Sequence, residues 1–285
     1  MIVDAHYHLD ERIQTVESLL KEMEQHGVDR VALIASMVEP FEITGLAKFA
    51  SRLLPGLLLG WRAVGLRLYS NTVTTDDQFS ALGKLYPIYA VPDNDRVARA
   101  IQAHPERFSG WVFVNPRAAD PLAELERRAG QPGWIGVKAH PFWHRYAVSR
   151  LDDVARWCQE RDWPLLIHLG GDRESGDFRF LPERHPHLKV LYAHAGIPFY
   201  RQVWEYVRGK EHILVDLSNP VYVNDRVRLE AVKVLGAAQC VGGTDGPYGH
   251  AGPGWMVRTI HQLPLPNAEQ ERILGGNFAQ CTGVN

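Results

Sequence analysis

Short β-rich segments alternate with amphipathic helical segments along most of the chain, and this alternation limits the possible folds more than any other feature. The candidate strands are eight segments rich in Val, Ile, Leu and aromatic residues: residues 2–8, 28–35, 110–114, 134–140, 164–168, 188–194, 212–216 and 240–245. Helical patterns lie between most of them, at 15–26, 121–128, 152–161, 197–208 and 225–235. Strands that alternate with helices pair in parallel through right-handed crossovers. Eight such units in 285 residues predict a closed (β/α)₈ barrel of the TIM type, with a single domain over residues 1–285.

An open, doubly wound sheet is the alternative architecture. Such a sheet often carries a glycine-rich phosphate-binding turn directly after a strand. No GxGxxG or P-loop sequence follows any of the candidate strands, and the first strand ends in His6 and His8 instead. The closed barrel is therefore favoured.

The regular spacing breaks once, because residues 36–109 stand where one helix and two short loops would suffice. Residues 95–104 predict the helix that leads into the third strand, whereas residues 53–69 show no clean period. We interpret the remainder as an elaborated loop after strand 2, on the C-terminal face where (β/α)₈ enzymes keep their active sites. A surface excursion without catalytic importance is the alternative.

Composition excludes several classes of function. The net charge of −2 gives no basic field for nucleic acid or anionic membranes, and no apolar stretch approaches the roughly 18 residues that span a bilayer. No secretory signal is visible at the N-terminus, and the three cysteines are widely spaced, as reduced thiols in a cytosol are. We therefore expect a cytoplasmic protein with a small-molecule substrate and no nucleic-acid or membrane partner. A homo-oligomer remains an option.

Histidines at the ends of apolar runs predict chemistry. His6 and His8 are two residues apart on the first strand, so both point to the same side. Strand five ends in His168, strand six in His194 and strand eight in Asp245. Because the strand ends of a barrel converge on one axis, these donors are expected to meet there. The pattern predicts a metal site, with Zn²⁺ as the first candidate, in preference to a set of hydrogen-bonded core residues.

Several segments together resemble the amidohydrolase superfamily. They are Val3-Asp4-Ala5-His6-Tyr7-His8, residues 105–116, residues 136–141, Ala193-His194-Ala195-Gly196 and Gly243-Thr244-Asp245-Gly246-Pro247. The likeness is strongest to the amidohydrolase-related branch that includes aminocarboxymuconate-semialdehyde decarboxylase. It extends from residue 2 to about residue 247 and is weakest over residues 36–93.

The resemblance implies a (β/α)₈ barrel whose divalent metal is held by His6, His8, His168 and Asp245, with His194 beside it. A metal bound in this way lowers the pKa of its water from 15.7 towards about 7. Asp245 would accept the proton of that water, and His194 would polarise the substrate carbonyl or orient the nucleophile. We therefore predict a metal-dependent hydrolase of a small organic acid, ester, lactone or amide, with Asp245 and His194 as catalytic residues.

Lys138 and His140 share a face of the fourth strand, and both are candidates for substrate binding. In some branches of the superfamily a lysine on this strand is carboxylated and bridges two metals. Four ligands already complete a shell for one ion with room for water, so we predict one metal and an unmodified Lys138 that anchors a substrate carboxylate.

Two other functions stay open. The same metal centre supports the non-oxidative decarboxylation of a small carboxylic acid, which the ligand set cannot distinguish from hydrolysis. A non-catalytic metal-binding barrel is the other alternative, and the extra acid/base pair His194 and Asp245 counts against it.

The remaining candidates carry weaker signals. Asp216, at the end of strand seven, could orient a ligand histidine. We expect solvated positions for Arg62, Arg67 and Arg173, which could otherwise bind a carboxylate. Aromatic side chains that could line a pocket or simply pack are Trp61, Tyr69, Phe142, Trp143, Tyr248 and Trp255. Surface or loop positions are expected for His144, His185, His187 and His250.

Overall fold

A computed structural model describes residues 1–41, 45–81, 84–248 and 251–284. Eight parallel strands form one sheet, in the order β1 (Val3–Leu9), β2 (Arg30–Ala35), β5 (Phe108–Val114), β6 (Trp134–Ala139), β7 (Leu165–Ile167), β8 (Val190–Tyr192), β9 (Ile213–Asp216) and β10 (Cys240–Val241). The last strand returns to the first, because the amides of Ala5 and His8 donate to the carbonyls of Gly242 and Gly246 at 3.1 and 2.6 Å. The sheet is therefore closed, which confirms the predicted (β/α)₈ barrel.

Helices connect the strands and close the chain after the barrel: α1 (Val16–His26), α4 (Asn94–Ala103), α5 (Pro121–Ala129), α6 (Asp152–Glu160), α7 (Phe180–Arg184), α8 (Tyr200–Val207), α9 (Asp225–Leu235), α10 (Pro253–His261), α11 (Asn267–Glu271) and α12 (Asn277–Thr282). Local chemistry explains their ends. The Thr15 side chain accepts a hydrogen bond from the Ser18 amide at the start of α1, and Gly27, with φ of 65°, ends that helix. Among the described residues, no helix has both the length and the apolar character that a membrane crossing needs.

The register of the strands builds the interior in layers and sets the height of the site. Phe113, Lys138 and Leu166 are paired across β5, β6 and β7. Side chains two residues further along the same strands point to the same side, so His140 and His168 lie one layer higher, at the C-terminal end of the barrel.

The region after strand 2 is elaborated as predicted, but it is not an irregular loop. It contains the helices α2 (Gly45–Gly60) and α3 (Arg62–Ser70) and an antiparallel hairpin of β3 (Gln78–Ala81) and β4 (Lys84–Pro87). Two residues hide the helices from sequence analysis. Pro55 lies inside α2, and Gly65 lies where α3 packs on it. A Cβ atom on Gly65 would lie 2.7 Å from the Leu58 nitrogen, so glycine is needed for this close contact.

Among the histidines for which surface or loop positions were expected, the described ones lie in loops, but two of them are buried. His144 places its Nε2 atom 3.1 Å from the Tyr89 carbonyl, and His185 contacts Asp152 at 2.8 Å. Their burial is stabilised by these partners. His187 is exposed, whereas His250 lies outside the described residues.

Candidate metal centre and active-site pocket

Two histidines from β1 and the aspartate after β10 converge at the C-terminal end of the barrel. The Nε2 atoms of His6 and His8 lie 3.1 and 3.3 Å from Oδ1 of Asp245. One donor atom from each of the three residues lies within 4.8 Å of the other two, and all three residues are buried. Two imidazole nitrogens and one carboxylate oxygen at this spacing form a donor set that suits a divalent metal.

The outer ring nitrogens of both histidines are fixed by acceptors. Nδ1 of His6 lies 2.8 Å from Oδ2 of Asp216, and Nδ1 of His8 lies 3.0 Å from the carbonyl oxygen of Ala35. A carboxylate and a carbonyl only accept, so each Nδ1 atom carries the proton and donates it. Both Nε2 atoms therefore face the cluster, and this carboxylate–histidine arrangement is typical of metal sites.

The cluster is rich in buried charge. Burial and the Lys138 ammonium lower the pKa of His6, but the carboxylates of Asp216 and Asp245 outweigh them and raise it above its usual value. Burial alone would raise the pKa of Asp245, yet the surrounding imidazoles, His194 and His6 foremost, hold it well below its ordinary range. Asp245 is therefore a carboxylate, which is the form that binds a metal or accepts a proton.

His194 is held by a relay that ends on Asp216. The hydroxyl of Ser218 donates its single proton to Oδ1 of Asp216, so it accepts from Nδ1 of His194 at 2.8 Å. The proton of the imidazole thus lies on Nδ1, and the unprotonated Nε2 atom lies 3.7 Å from Oδ2 of Asp245. Burial lowers the pKa of His194 to about 4, so the ring is neutral. The amide of Asn219 holds the same Asp245 oxygen at 2.7 Å.

Backbone geometry aims three of these side chains. His194, Asn219 and Asp245 all have left-handed conformations, with φ of 52°, 66° and 59°. Strict strand alternation from the inward-facing Leu191 would point Ala193 into the barrel, and the left-handed turn brings in His194 instead. Such conformations cost on the order of 1 kcal/mol or more each and are concentrated at functional sites.

Lys138 and His140 both reach the cavity, on the same face of β6 and its continuation as predicted. Nζ of Lys138 lies 3.3 Å from Nε2 of His6, and burial lowers the pKa of the ammonium to about 8. Nδ1 of His140 accepts a hydrogen bond from the Trp143 amide at 3.0 Å. The proton of neutral His140 therefore lies on Nε2, where it can be donated.

His168 lies beside the donor set of His6, His8 and Asp245 and is not one of the residues whose donor atoms all lie within 4.8 Å of one another. Its ring centroid is 4.0 Å from that of His140 and 4.7 Å from that of His194. Among the described residues, the sets whose donor atoms all lie within 4.8 Å of one another are His6, His8 and Asp245, and His6, His194 and Asp216. In the second set, Asp216 already accepts hydrogen bonds from the other residues, so it serves as a support of the ligands.

Aromatic side chains wall the cavity above these groups: Phe41, Phe79, Trp143, Tyr222 and Tyr248. Phe41 stacks on Tyr248 with an angle of 6° between the ring planes, and Phe79 stacks on Trp143 with centroids 4.9 Å apart. Trp143 and Tyr248 were candidates from the sequence, whereas Phe79 comes from the hairpin that carried no recognisable pattern. Arg62, Arg67 and Arg173 are not among the described residues that line the cavity.

A closed (β/α)₈ barrel with imidazole and carboxylate donors at its strand ends is the architecture that the sequence resemblance implied. The chain belongs to the amidohydrolase family, whose family model matches residues 78–279. The predicted resemblance is thus confirmed. A search of curated protein sequences finds no match.

Solved structures with the same fold cover nearly the whole chain. They include 2,6-dihydroxybenzoate decarboxylase from Rhizobium, with a TM-score of 0.60, 15% identity, and coverage of 99% of this chain and 98% of that one. A 5-carboxyvanillate decarboxylase from Novosphingobium aromaticivorans with bound manganese has a TM-score of 0.61 and 14% identity, with coverage of 100% of this chain and 97% of that one. A probable 2-pyrone-4,6-dicarboxylic acid hydrolase from Acinetobacter baumannii has a TM-score of 0.61 and 16% identity, with coverage of 99% of both chains. At these identities the likeness establishes the fold.

Proposed function

We propose that this chain is a metal-dependent decarboxylase that removes CO₂ non-oxidatively from a small aromatic carboxylic acid. The observation that carries the proposal is a cavity in which a buried imidazole–carboxylate donor set and Lys138 lie beneath stacked aromatic walls. A flat ring fits between such walls, while its carboxylate reaches the positive groups. The decarboxylases of substituted benzoates among the similar structures support this function over the hydrolysis that the sequence favoured.

The donor set fits one divalent ion. His6, His8 and Asp245 would hold it, and a ring nitrogen of His168 would complete the set. Nitrogen and carboxylate donors suit Zn²⁺ and also Mn²⁺, which is the ion in one of the similar structures. When bound, the ion supplies positive charge that orients an anionic substrate and stabilises charge that develops on it.

The reaction needs one proton at the carbon that loses CO₂. The bond between the ring carbon and the carboxylate breaks, CO₂ leaves, and the electron pair left on the ring takes up the proton. Asp245 is a carboxylate, so it first accepts a proton from a substrate hydroxyl or from solvent and then delivers it. The unprotonated Nε2 of His194, 3.7 Å from Asp245, is placed to exchange that proton.

The aromatic enclosure favours loss of the carboxylate. A carboxylate is strongly hydrated, whereas CO₂ is neutral, so a cavity walled by Phe41, Phe79 and Trp143 replaces water with apolar contacts around the group that leaves. Lys138 and the Nε2 proton of His140 offer a charge and a hydrogen bond to anionic groups of the substrate. The same cavity therefore binds the acid and disfavours its charged form relative to the products.

Hydrolysis of an ester, lactone or amide is the second candidate. The neutral His194 beside Asp245 would also suit removal of a proton from an attacking water, and one similar structure is a probable hydrolase. Incubation of Zn²⁺- or Mn²⁺-loaded protein with a panel of hydroxybenzoates and with lactones and esters, in D₂O, separates the two. We expect CO₂ release and one deuterium on the vacated ring carbon. Ring opening or ester cleavage without CO₂ would identify a hydrolase, and metal binding without turnover would favour a non-catalytic barrel.

Replacing Lys138 with Met should weaken the binding of a carboxylate substrate while the metal stays bound. Loss of a hydrogen bond to a charged group costs about 1.5–3 kcal/mol, so we expect KM to rise roughly 10- to 150-fold. Steady-state kinetics and elemental analysis measure the two quantities. Lys189, which pairs with Asp162 outside the cavity, offers the matched control Lys189→Met.

The same variant tests whether Lys138 is carboxylated. A bridging carboxylated lysine would add about 44 Da to the intact chain and hold a second ion about 3.5–4 Å from the first. Two metals per chain that fall to one in Lys138→Met, together with this mass, would contradict the single-metal proposal.

A further inference from the structure

The helix α3 reaches from the insertion to the end of β7 and places a tyrosine on His168. The hydroxyl oxygen of Tyr69 lies 2.7 Å from Nε2 of His168 and 2.8 Å from the carbonyl oxygen of Leu169. Tyr69 is completely buried. The insertion after strand 2 therefore contacts His168 directly through Tyr69, and it also contributes Phe79 to the cavity wall.

The proton count of this contact decides which nitrogen of His168 is free. A phenol has one proton, and a backbone carbonyl can only accept. The Tyr69 hydroxyl must therefore donate to Leu169, and its lone pair then accepts a proton from Nε2 of His168. A neutral imidazole carries one proton, and the contact with the Tyr69 oxygen places that proton on Nε2. The remaining nitrogen, Nδ1, is thus unprotonated.

We propose that Tyr69 is a positioning residue that locks His168 in the Nε2–H tautomer and so presents Nδ1 to the cavity as an electron-pair donor. The insertion after strand 2 is then part of the functional centre, and the surface excursion considered above does not describe it. The use of Nδ1 as a metal ligand rests on the proposed function, whereas the tautomer follows from the hydrogen bonds alone.

Close packing between α3 and the segment after β7 supports the contact between Tyr69 and His168. A Cβ atom on Gly171 would lie 2.2 Å from Oγ of Ser70 and 3.3 Å from Cδ1 of Tyr69, so a side chain there would displace the Ser70 hydroxyl and press on the Tyr69 ring. On its other side, the Tyr69 ring stacks on Phe142 with centroids 4.2 Å apart and an angle of 16° between the planes. The phenol ring thus packs between Gly171 and Phe142, and this packing fixes the position of its hydroxyl oxygen beside His168.

A purely structural role for Tyr69 predicts a different result from a tautomer lock. Tyr69→Phe keeps the stacked ring and the packing volume, and it removes only the hydroxyl. If Tyr69 merely fills space, the tautomer of His168 and the affinity for Zn²⁺ stay as they are. If it locks the tautomer, both change, because Nε2 loses its acceptor and the proton is free to move to Nδ1.

The test is a two-dimensional nitrogen–proton correlation spectrum of the histidine rings in metal-free protein, with the His168 signals assigned through a His168→Gln variant. We expect the Nε2–H pattern in the wild type and a mixture of tautomers in Tyr69→Phe. Zn²⁺ affinity, measured by chelator competition, should fall about 10- to 100-fold in that variant, the usual effect of losing a partner of a metal ligand. Tyr192→Phe is the matched control, since that buried hydroxyl also donates to a backbone carbonyl, that of Phe178.

An Nδ1–H pattern for His168 in the wild type would overturn the proposal without recourse to any variant. So would a Tyr69→Phe protein with the wild-type tautomer and wild-type Zn²⁺ affinity. An unchanged tautomer in Tyr192→Phe is expected. These measurements need no substrate, so a failure of the decarboxylase proposal leaves them unaffected, and a failed tautomer lock leaves the CO₂ assay unaffected.

Discussion

Replacing both His6 and His8 with Ala is expected to remove nearly all bound metal, with a loss of affinity greater than about 10³-fold, and to abolish measurable turnover. Loss of even an outer partner of a ligand costs roughly 10- to 100-fold in affinity, and this change removes two of the three donors that meet within 4.8 Å. Oδ1 of Asp245 would lose both of its imidazole neighbours, the Nε2 atoms of His6 and His8. Elemental analysis after dialysis and Zn²⁺ competition measure the effect.

A matched control for this pair exists in the same chain. His185 and His187 are also two residues apart, and they lie away from the cavity, His185 on Asp152 and His187 at the surface. The double variant His185→Ala, His187→Ala should keep its metal and its activity apart from a modest loss of stability. If the His6, His8 variant kept a full equivalent of metal, the donors would have to lie elsewhere.

Asp245→Asn is expected to keep most of its metal while kcat falls by about 10²- to 10⁴-fold, the usual range for a lost acid–base group. The amide has the same shape, and its one oxygen can replace Oδ1 towards the ion, although its NH2 group then replaces the oxygen that accepts from Asn219. It neither carries a proton nor offers a full charge. The left-handed backbone at this position, with φ of 59°, is tolerated by Asn, so the turn should persist. Kinetics at saturating substrate and metal analysis of the same sample check both parts.

The control for Asp245→Asn is Asp77→Asn. Asp77 also has a left-handed backbone, with φ of 52°, and pairs with Arg117 at the protein surface. That variant should differ little from the wild type in kcat. A metal-loaded Asp245→Asn protein with wild-type turnover would show that another group carries the proton.

The sequence predicts the parts of this molecule that obey a period. Strand alternation places His6 and His8 on one side of β1, and convergence of barrel strands brings Asp245 to them. Asp216 was a candidate for orienting a ligand because it ends a strand, and it contacts His6. These inferences needed only repeating patterns and barrel geometry.

The missed features break those periods. The direction of His194 depends on a left-handed turn that alternation does not predict, and Ser218, which links it to Asp216, carries no sequence signal of its own. Tyr69 was a candidate for lining a pocket or packing, but its contact with His168 was not predicted. Phe79 was not a candidate, and both residues lie in the stretch where the sequence shows no clean period. Contacts between segments of different period follow from packing, which a single sequence does not reveal.

Closure of the barrel has a consequence for how the protein folds and unfolds. The seam joins β1 to the segment after β10, where the amide of Asp245 donates to the carbonyl of His6 at 2.7 Å and Thr244 bonds to Asp4 across 240 positions of sequence. Contacts so distant along the chain form late, because the intervening chain must first be ordered. His6 and His8 lie on one side of this seam and Asp245 on the other, so an ion that they share binds only the closed ring. At a free concentration of 1,000 times Kd it would stabilise that ring by about 4 kcal/mol, and its removal would first loosen the contact between the first and last strands.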